Sequence, residues 1–392
     1  MDESADACPG VCPRGRRHAP PKKRLTNSEG NAYNQNANDG NNSLSEVSAM
    51  MKSKLTISDI SRMSGVSVRT VSRVLNHDPK VKPSTRERVQ KVIDETGFEA
   101  NILARGLRAK RTNTLIVFVA QHENHYWGAF HNEILAEMMV EAKRRNYRMV
   151  ISSSSAENYK EDVNDGFYML KHGMADGAIM FDIMKGDPRT AYLRQKKIPF
   201  VIIGKDLDYY DTSYVDLDNR YAGFLGAQYL ASKGRKRIVF MVGHEEFNNN
   251  PERAAGFLEY FDTPEAKETG ATGRVITGVH SIRVAYEKSR ELLAAPVGER
   301  PDGIFVSGDE RALGAYRAIR EAGLDIPEDV AVMGIDNIRL GEYFHPPITT
   351  IDQSIPSFVE NAFDILFRQL ENSQTHGKRV LITPVIVERE SV

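Results

Sequence analysis

The 392-residue chain contains two cysteines, one tryptophan and no long uncharged hydrophobic run. Both cysteines, Cys8 and Cys12, lie near the start of the chain, which excludes a disulfide framework for the rest of it. No stretch of about 18 apolar residues predicts a membrane-spanning helix, and the first 30 residues lack the apolar run of a secretory signal. We therefore expect a cytoplasmic, globular protein without a membrane partner.

The common catalytic signatures are also missing from the sequence. It contains no phosphate-binding glycine loop, no nucleophile elbow and no dinucleotide-binding glycine fingerprint. The pair His122 and His125 lacks both the spacing of a metalloprotease motif and an evident third ligand, so no metal site is predicted. We predict neither an enzyme nor a cofactor-binding protein, although turnover of a sugar would restore the enzyme alternative.

Charge is distributed unevenly along a chain whose formal net charge is −1. Residues 51–111 carry 14 lysines and arginines against six acidic residues, a net of +8, whereas residues 1–50 are neutral and the remainder has a net of −9. A compact basic segment beside an acidic body favours a polyanion-binding module attached to a soluble domain. An ordinary solvated basic surface would show the same charge.

Changes in composition divide the chain into four regions. Residues 1–50 are polar and rich in asparagine, which predicts a disordered leader. A small helical headpiece is predicted for residues 51–99 and a linker that could form one short helix for residues 100–112. The larger body is predicted for residues 113–392.

Three short helices are predicted in the headpiece. Each has a hydroxyl side chain suited to cap its N-terminus: Thr56, Ser67 and Ser84. Asp59, three residues after Thr56, adds a capping box to the first helix, Ile57–Met63. Glycines are expected to end the first and third helices: Gly65 and Gly97. The inward faces of the second and third helices comprise Val71, Val74, Val89, Val92 and Ile93.

The body alternates short apolar runs with amphipathic stretches. The runs predict strands: Leu115–Val119, Met149–Ser152, Gly177–Phe181, Phe200–Ile203, Ile238–Val242, Gly303–Val306 and Val330–Gly334. The amphipathic stretches predict helices: Glu133–Arg144, Ala222–Ser232, Arg311–Glu321 and Pro356–Leu370. Buried strands separated by helices favour parallel sheets covered on both faces. The predicted fold is a small all-α headpiece plus an α/β body with two doubly wound parallel sheets.

A helix, a glycine-containing turn and a second helix on a basic segment form the helix-turn-helix pattern. Four side chains lie on the sides of the second helix that its apolar face leaves open: Val68, Arg69, Ser72 and Arg73. An arginine guanidinium can donate two hydrogen bonds to guanine O6 and N7. The pattern therefore predicts DNA binding, with ordinary surface arginines as the alternative.

The run from Thr56 to Asn76 closely resembles the start of the lactose-repressor/galactose-repressor family of bacterial transcription regulators. Its most specific parts are Gly65-Val66-Ser67 and Thr70-Val71-Ser72-Arg73-Val74-Leu75-Asn76. The likeness continues through the body to about Glu388. It implies a two-lobed, periplasmic-binding-protein-like body and a transcriptional repressor controlled by a small molecule.

The resemblance assigns roles to residues of the headpiece and the linker. Val68 and Arg69 match the positions that select the operator sequence, and Arg73 matches an arginine that reads a guanine. Phosphate-contacting or capping positions are matched by Thr56, Ser67, Thr70, Ser72 and Asn76. The hinge helix is matched by Asn101, Ala104, Leu107 and Arg108, with Leu107 as a wedge in the minor groove. Gly106 disfavours that helix by about 0.8–1.0 kcal/mol relative to alanine, so we expect less order there without DNA.

The resemblance also implies an effector pocket between the two lobes, at the carboxyl ends of the strands. The implied contacts are Tyr126, Trp127, Lys205, Arg253, His280, Asp309 and Asp336. Arginine and aspartate give directional hydrogen bonds to hydroxyls, and Trp127 offers a flat apolar face to a sugar ring. Core packing of Trp127 and an interlobe salt bridge of Arg253 stay open as alternatives. Gly308 stands where sugar-responsive relatives often carry asparagine.

The predicted partners follow from these assignments. They are double-stranded DNA with a pseudo-palindromic operator, a small-molecule effector that we expect to be a carbohydrate, and a second copy of the chain. A purine or another metabolite acting as a corepressor is the alternative effector. A solute-binding protein is the alternative class, and both the basic headpiece and the missing signal argue against it.

Overall fold

The computed structural model describes residues 55–75, 78–98, 111–119, 127–154, 159, 162–181, 183–206, 208–372 and 377–392. The chain divides into two compact units, Met1–Ala100 and Asn101–Val392. Of the helices in the described ranges, none combines the length and apolar character needed to cross a membrane.

Three helices form the described part of the first unit: α1 (Ile57–Ser64), α2 (Val68–Leu75) and α3 (Pro83–Thr96). They enclose a small apolar core made of Ile60, Val71, Val74, Val81 and Val89. The turn between α1 and α2 passes through Gly65, whose φ of 64° lies in the left-handed region that favours glycine. The predicted helix-turn-helix is confirmed.

The ends of these helices follow local side-chain chemistry, with one exception. The backbone N–H of Thr56 donates to Asp59 Oδ2 at 3.0 Å, which confirms the capping box. The N–H of Thr70 donates to Ser67 Oγ at 3.2 Å. The cap predicted at Ser84 is wrong, because α3 already begins at Pro83. Proline prefers the first helical position, where its fixed φ fits and its missing N–H costs nothing.

The second unit contains two six-stranded sheets. The first sheet has the strand order β11-β5-β4-β3-β1-β2. Its strands are β1 (Thr114–Val119), β2 (Arg148–Ser153), β3 (Gly177–Met180), β4 (Phe200–Ile203), β5 (Tyr214–Leu217) and β11 (Arg379–Ile382). Three helices lie between these strands in sequence: α4 (Ala129–Arg144), α5 (Gly166–Lys171) and α6 (Pro188–Lys196). We call this sheet and its helices lobe 1.

The second sheet has the strand order β12-β10-β9-β8-β6-β7. Its strands are β6 (Arg237–Met241), β7 (Thr272–Ile276), β8 (Gly303–Val306), β9 (Ala331–Asp336), β10 (Thr349–Asp352) and β12 (Val385–Val387). Its helices are α7 (Asn219–Ser232), α8 (Asn249–Tyr260), α9 (Pro264–Thr269), α10 (Ile282–Leu293), α11 (Asp309–Glu321) and a 3₁₀ helix, Arg339–Tyr343. We call this sheet and its helices lobe 2.

Both lobes are wound in the same way. In each, the second strand lies at the edge beside the first, and the third, fourth and fifth follow on the other side. The pairings are parallel except for β12, which runs antiparallel to β10 with Ile351 opposite Ile386. Two doubly wound sheets are therefore confirmed, and lobe 2 adds an antiparallel edge strand that the sequence did not predict.

The chain passes between the lobes three times. It leaves lobe 1 after β5 and enters α7, which packs against the strands of lobe 2. It returns after β10 into α12 (Ile355–Glu371), which packs against β3, β4 and β5. The third crossing joins β11 to β12. The two lobes are thus joined by three crossings of the chain.

Helices α7 and α8 pack backbone against backbone because two glycines lie at their contact. A Cβ added to Gly223 would lie 1.9 Å from the carbonyl oxygen of Arg253, and a Cβ added to Gly256 would lie 1.8 Å from the carbonyl oxygen of Arg220. No larger residue fits either position without moving a helix. This contact fixes the place of α8, and with it the place of the buried Arg253.

Candidate nucleic-acid interface and ligand crevice

Helix α2 presents a polar face opposite its buried valines. Val71 and Val74 are 0% and 2% exposed, whereas Arg69 is exposed and Val68, Ser72 and Arg73 are partly exposed. The two arginines lie four residues apart, which places both on one side of the helix. The arginines on this face carry donor groups of the kind that read guanine in a major groove, and the base-reading roles of these residues stay predictions.

Arg73 is oriented by an acidic residue that the sequence analysis did not single out. Its Nε donates to Asp78 Oδ2 at 2.8 Å, while Asp78 Oδ1 accepts from the N–H of Lys80 at 2.9 Å. Arg86 Nη2 donates to the carbonyl oxygen of Asp78 at 2.8 Å. The hydrogen bond from Arg73, followed by that from Lys80, holds the pKa of Asp78 below its usual value. Asp78 accepts from Nε, and among the described residues the terminal amino groups of Arg73 have no hydrogen-bond acceptor.

Several predicted residues lie outside the described residues. They are the DNA contacts Asn76, Asn101, Ala104, Leu107 and Arg108, the effector contact Tyr126, the histidines His122 and His125, and the leader, residues 1–50. The phosphate-contacting roles of Thr56, Ser67, Thr70 and Ser72 also stay predictions, although the structure shows Thr56 and Ser67 acting as caps.

In the body, polar side chains converge where the strands of the two lobes end. Lys205 follows β4 in lobe 1, whereas Ser307 follows β8 and Asp336 ends β9 in lobe 2. Arg253 projects from α8 into the same region. The carboxyl ends of parallel strands are the usual place for ligands in open α/β sheets. We call this region, between the two lobes, the crevice.

Arg253 is buried and held from two sides. Its side chain is 4% exposed, its Nε donates to Asn219 Oδ1 at 2.7 Å, and its Nη1 donates to Ser307 Oγ at 2.9 Å. Asn219 in turn donates from Nδ2 to Asp216 Oδ1 at 3.0 Å. Burial raises the pKa of Asp216 to about 7, against the opposing charge of Lys205. This chain of hydrogen bonds gives the guanidinium a fixed orientation.

Asp336 ends β9 in an unusual backbone conformation. Its φ is 132° and that of Asn337 is 54°, both in the region that non-glycine residues rarely adopt. Gln353 Nε2 donates to Asp336 Oδ1 at 2.5 Å. Burial raises the pKa of the Asp336 carboxyl, and the charges of Arg253 and Arg311 oppose that rise. Strain of about 1–3 kcal/mol at one residue is characteristic of sites that hold a side chain for binding.

Asp309 faces the interior of lobe 2. Its Oδ1 accepts from Thr350 Oγ1 at 2.6 Å and its Oδ2 accepts from the N–H of Ile338 at 3.0 Å. A Cβ on Gly334 would lie 1.9 Å from Oδ1, which explains the glycine in β9. Burial and the neighbouring Asp336 raise the pKa of Asp309. The geometry favours a supporting role for Asp309, and its predicted effector contact stays a prediction.

Lys205 connects the two lobes. Its Nζ donates to Glu252 Oε2 at 2.6 Å and lies 3.9 Å from Asp216 Oδ2. Its carbonyl oxygen accepts from Asn248 Nδ2 at 3.0 Å. Since the ammonium group already has a carboxylate partner across the crevice, the structure places Lys205 in an interlobe ion pair.

The two remaining predicted effector contacts differ in exposure. His280 is exposed, its ring stacks on His244 with centroids 4.5 Å apart, and its Nδ1 lies 2.9 Å from the carbonyl oxygen of Gly278. Trp127 is partly buried and packs against the main apolar core, which is the alternative raised for it above. Their roles as effector contacts stay predictions.

Comparisons with known proteins agree with this architecture. The family model described as bacterial regulatory proteins, lacI family, matches residues 56–101, and the model of a periplasmic binding protein-like domain matches residues 227–392. The HTH-type transcriptional repressor PurR of Vibrio atlanticus (strain LGP32) is 31% identical over 339 residues, which are 86% of this chain and 98% of that protein. This chain belongs to the lacI family. It is a DNA-binding transcriptional regulator and not an enzyme, as the sequence predicted.

Solved structures of lacI-family regulators share the fold of this chain. The transcriptional regulator CelR in complex with cellobiose is 27% identical, covers 86% of this chain and 100% of its own, and has a TM-score of 0.63. The lac repressor dimer bound to operator and the anti-inducer ONPF is 23% identical over 86% of this chain and 98% of its own, with a TM-score of 0.73. The second likeness shows the fold alone.

This lacI-family regulator has four crevice residues whose contacts the sequence analysis missed. They are His131, Asp216, Asn219 and Arg311. Gly308 stands where the family resemblance implies a frequent asparagine, and the sequence does not indicate which group fills the space of the missing side chain. A Cβ on Gly308 would lie 2.6 Å from Arg311 Nε, so the guanidinium of Arg311 occupies that space. An arginine two or three residues after such a glycine was the available signal.

Two further hydrogen bonds connect the lobes at the start of α4. The N–H of Ala129 donates to Glu310 Oε2 at 2.9 Å, and the N–H of Arg339 donates to Glu133 Oε1 at 3.0 Å. Together with the Lys205–Glu252 pair, these contacts hold the lobes together around the crevice. Each is polar and of a kind that water can replace when the lobes separate.

Proposed function

We propose that this regulator is a repressor that binds a pseudo-palindromic operator as a homodimer, and that a sugar bound in the crevice changes its affinity for that operator. The effector is a ligand in this proposal, and no cofactor takes part. The observation that carries the proposal is that a buried, oriented Arg253 and a strained Asp336 lie in the same region at the strand ends.

The chemistry of this pair suits a polyhydroxylated ligand. Arg253 supplies donors and Asp336 supplies an acceptor, and charge-assisted hydrogen bonds of this kind are about twice as strong as neutral ones. CelR, a relative with the same fold, is described in a complex with cellobiose. That likeness supports a sugar as the effector here.

Dimeric binding follows from the small size of the headpiece. One α2 helix offers two or three base-reading side chains, which discriminate weakly among DNA sequences. Two headpieces on two half-sites multiply that discrimination. The lac repressor, whose fold this chain shares, is described as a dimer bound to operator.

The test is selection of the full-length protein on random duplex DNA at physiological salt, with and without a panel of sugars. We expect one palindrome to be enriched and one sugar to change its recovery. A sugar that lowers recovery is an inducer, and one that raises recovery is a corepressor. Salt-dependent binding without an enriched sequence would contradict the proposal. Arg73→Ala serves as the control that should lose the enrichment.

A further inference from the structure

Arg311 brings a second guanidinium group to the crevice. Its Nη1 donates to the carbonyl oxygen of Val279 at 3.0 Å, and its Nε and Nη2 lie over Gly308, where a Cβ would be 2.6 and 2.7 Å away. Gly308 has a φ of 134°, a conformation that suits glycine. Gly308 therefore has no side chain in the space that Arg311 occupies, and it adopts the positive φ that the backbone needs before α11.

The guanidinium of Arg311 has more donors than the described residues use. Among the residues that the structure describes, the carbonyl oxygen of Val279 is the acceptor for this side chain, which is partly exposed. Asp336 interacts with Arg253 and Arg311 through their charges, yet no direct ion pair within 4.0 Å joins these described residues. The three charged groups therefore interact through their charges without a direct ion pair.

Among the described residues, no carboxylate lies within 4.0 Å of the guanidinium nitrogens of Arg253 or Arg311. The carboxylate of Asp309 is turned towards Thr350 and Ile338, and Lys205 is already paired with Glu252. The charges of Asp336, Asp216 and Glu252 act on Arg253, and those of Asp336 and Glu310 act on Arg311. Asp216, Glu252 and Glu310, however, accept their hydrogen bonds from Asn219, Lys205 and the N–H of Ala129. Arg253 is buried and Arg311 is partly buried. Removing a positive charge from water without giving it a direct partner is costly, and a bound anion reduces that cost.

We propose that the effector of this regulator is an acidic, hydroxyl-bearing small molecule, and that Arg311 binds its carboxylate or phosphate group. The inference rests on the proposed effector site and names the chemical class of its ligand. Arg253 and Asp336 bind the hydroxyls, while the planar guanidinium of Arg311 donates two parallel hydrogen bonds to the anionic group.

The experiment compares matched neutral and acidic ligands on the full-length protein. Titration calorimetry is run with glucose, galactose and ribose, with glucuronate and galacturonate, and with glucose 6-phosphate and ribose 5-phosphate. The two acidic series distinguish a carboxylate from a phosphate as the preferred group. Inorganic phosphate alone tests whether an anion without hydroxyls is sufficient.

Three variants accompany the wild type. Arg311→Met keeps the length of the side chain and removes its charge and donors, whereas Arg311→Lys keeps the charge and loses the planar fork. Arg317→Met is the matched control, because Arg317 lies on the same helix, is exposed and pairs with Glu321. Thermal melts without ligand verify that each variant is folded.

We expect at least one acidic ligand to bind at least 10-fold more tightly than its neutral counterpart, both to the wild type and to the Arg317→Met control. Arg311→Met should lower the affinity for that acidic ligand by about 10- to 100-fold, which is the contribution expected of hydrogen bonds to a charged group. Arg311→Lys should lower the affinity by less. The affinity of Arg311→Met for the neutral counterpart should change little. This pattern separates a ligand contact from a general loss of structure.

Three results would overturn the inference. They are tighter binding of neutral sugars than of their acids, acid binding that survives Arg311→Met unchanged, and no acid binding at all. If neutral sugars bind and change DNA recovery, the proposed function stands while the acidic effector is rejected. If no member of either series binds or changes DNA recovery, the sugar-controlled function fails as well.

Discussion

From the contact between α7 and α8 we predict that replacing Gly256 by a larger residue destabilises the body. Replacing Gly256 with alanine places a Cβ 1.8 Å from the carbonyl oxygen of Arg220, where ordinary contact begins at 3.4 Å. The clash involves backbone of the neighbouring helix and not a flexible side chain, so rotation of a side chain cannot relieve it. The two helices must separate by more than about 1 Å to restore normal packing.

The expected magnitude follows from the cost of overfilling a packed interior. Such substitutions cost about 1–3 kcal/mol, which corresponds to a fall in Tm of roughly 2–10 °C for a domain of this size. The displacement also reaches Arg253, which lies one turn earlier on α8. Its hydrogen bonds to Asn219 and Ser307, now 2.7 and 2.9 Å, would lengthen beyond useful range.

The assay measures thermal unfolding of the body and the change in operator binding with the effector, for Gly256→Ala and a control. Gly298→Ala is the control, since a Cβ there meets nothing within 4 Å. Gly256→Ala should lose both stability and effector response, while Gly298→Ala should keep both. A wild-type Tm together with a wild-type response in Gly256→Ala would refute the helix contact and its role in placing Arg253.

Three other predictions concern single side chains. Arg73→Ala should abolish discrimination between operator and random DNA in a binding assay, while Asp78→Asn should weaken discrimination and, by removing a negative charge, strengthen non-specific binding at low salt. Arg253→Ala should remove the effector response, and a normal dose response would exclude it from the site. Because burial raises the pKa of Asp216 to about 7 from 3.8, the folded protein binds an extra proton between those values and loses stability as pH rises through that window. Asp216→Asn should flatten this fall in thermal melts recorded from pH 4 to 8, and an unchanged slope would contradict the raised pKa.

The headpiece could be predicted almost completely because its signals are local. Capping side chains, a left-handed glycine and spaced valines each act within a few residues, so α1 and α2 follow from short stretches of sequence. The error at Ser84 has the same local origin, since Pro83 competes with a serine for the helix start. Local chemistry thus explains both the success and the failure.

The body was predicted less completely because its weaker strands depend on their neighbours. Strand β7, Thr272–Ile276, is half-exposed at a sheet edge, and β5 carries the buried Asp216. Neither forms the continuous apolar run that reveals β1 or β8. Strands β11 and β12 come from the end of the chain and complete sheets begun far earlier, which no local pattern can indicate.

The crevice was predicted in part for a related reason. Arg253 and Asp336 lie in short strings that resemble the family, so the likeness identifies them. Arg311 depends on an interaction in space, because its guanidinium occupies the room left by Gly308 and reaches a carbonyl oxygen of Val279. Only the folded backbone shows that the loss of one side chain makes room for another.

The balance of forces between the lobes explains how a small ligand can control them. The described polar contacts across the crevice include Lys205–Glu252 and Ala129–Glu310. Each contributes only about 0.5–1.5 kcal/mol after exchange with water, so opening costs little compared with unfolding either sheet. A ligand that contacts both lobes only when they are closed shifts this equilibrium by its difference in affinity for the two states. Charged groups from both lobes at one crevice make that difference large, because closure removes the water that would otherwise weaken each contact.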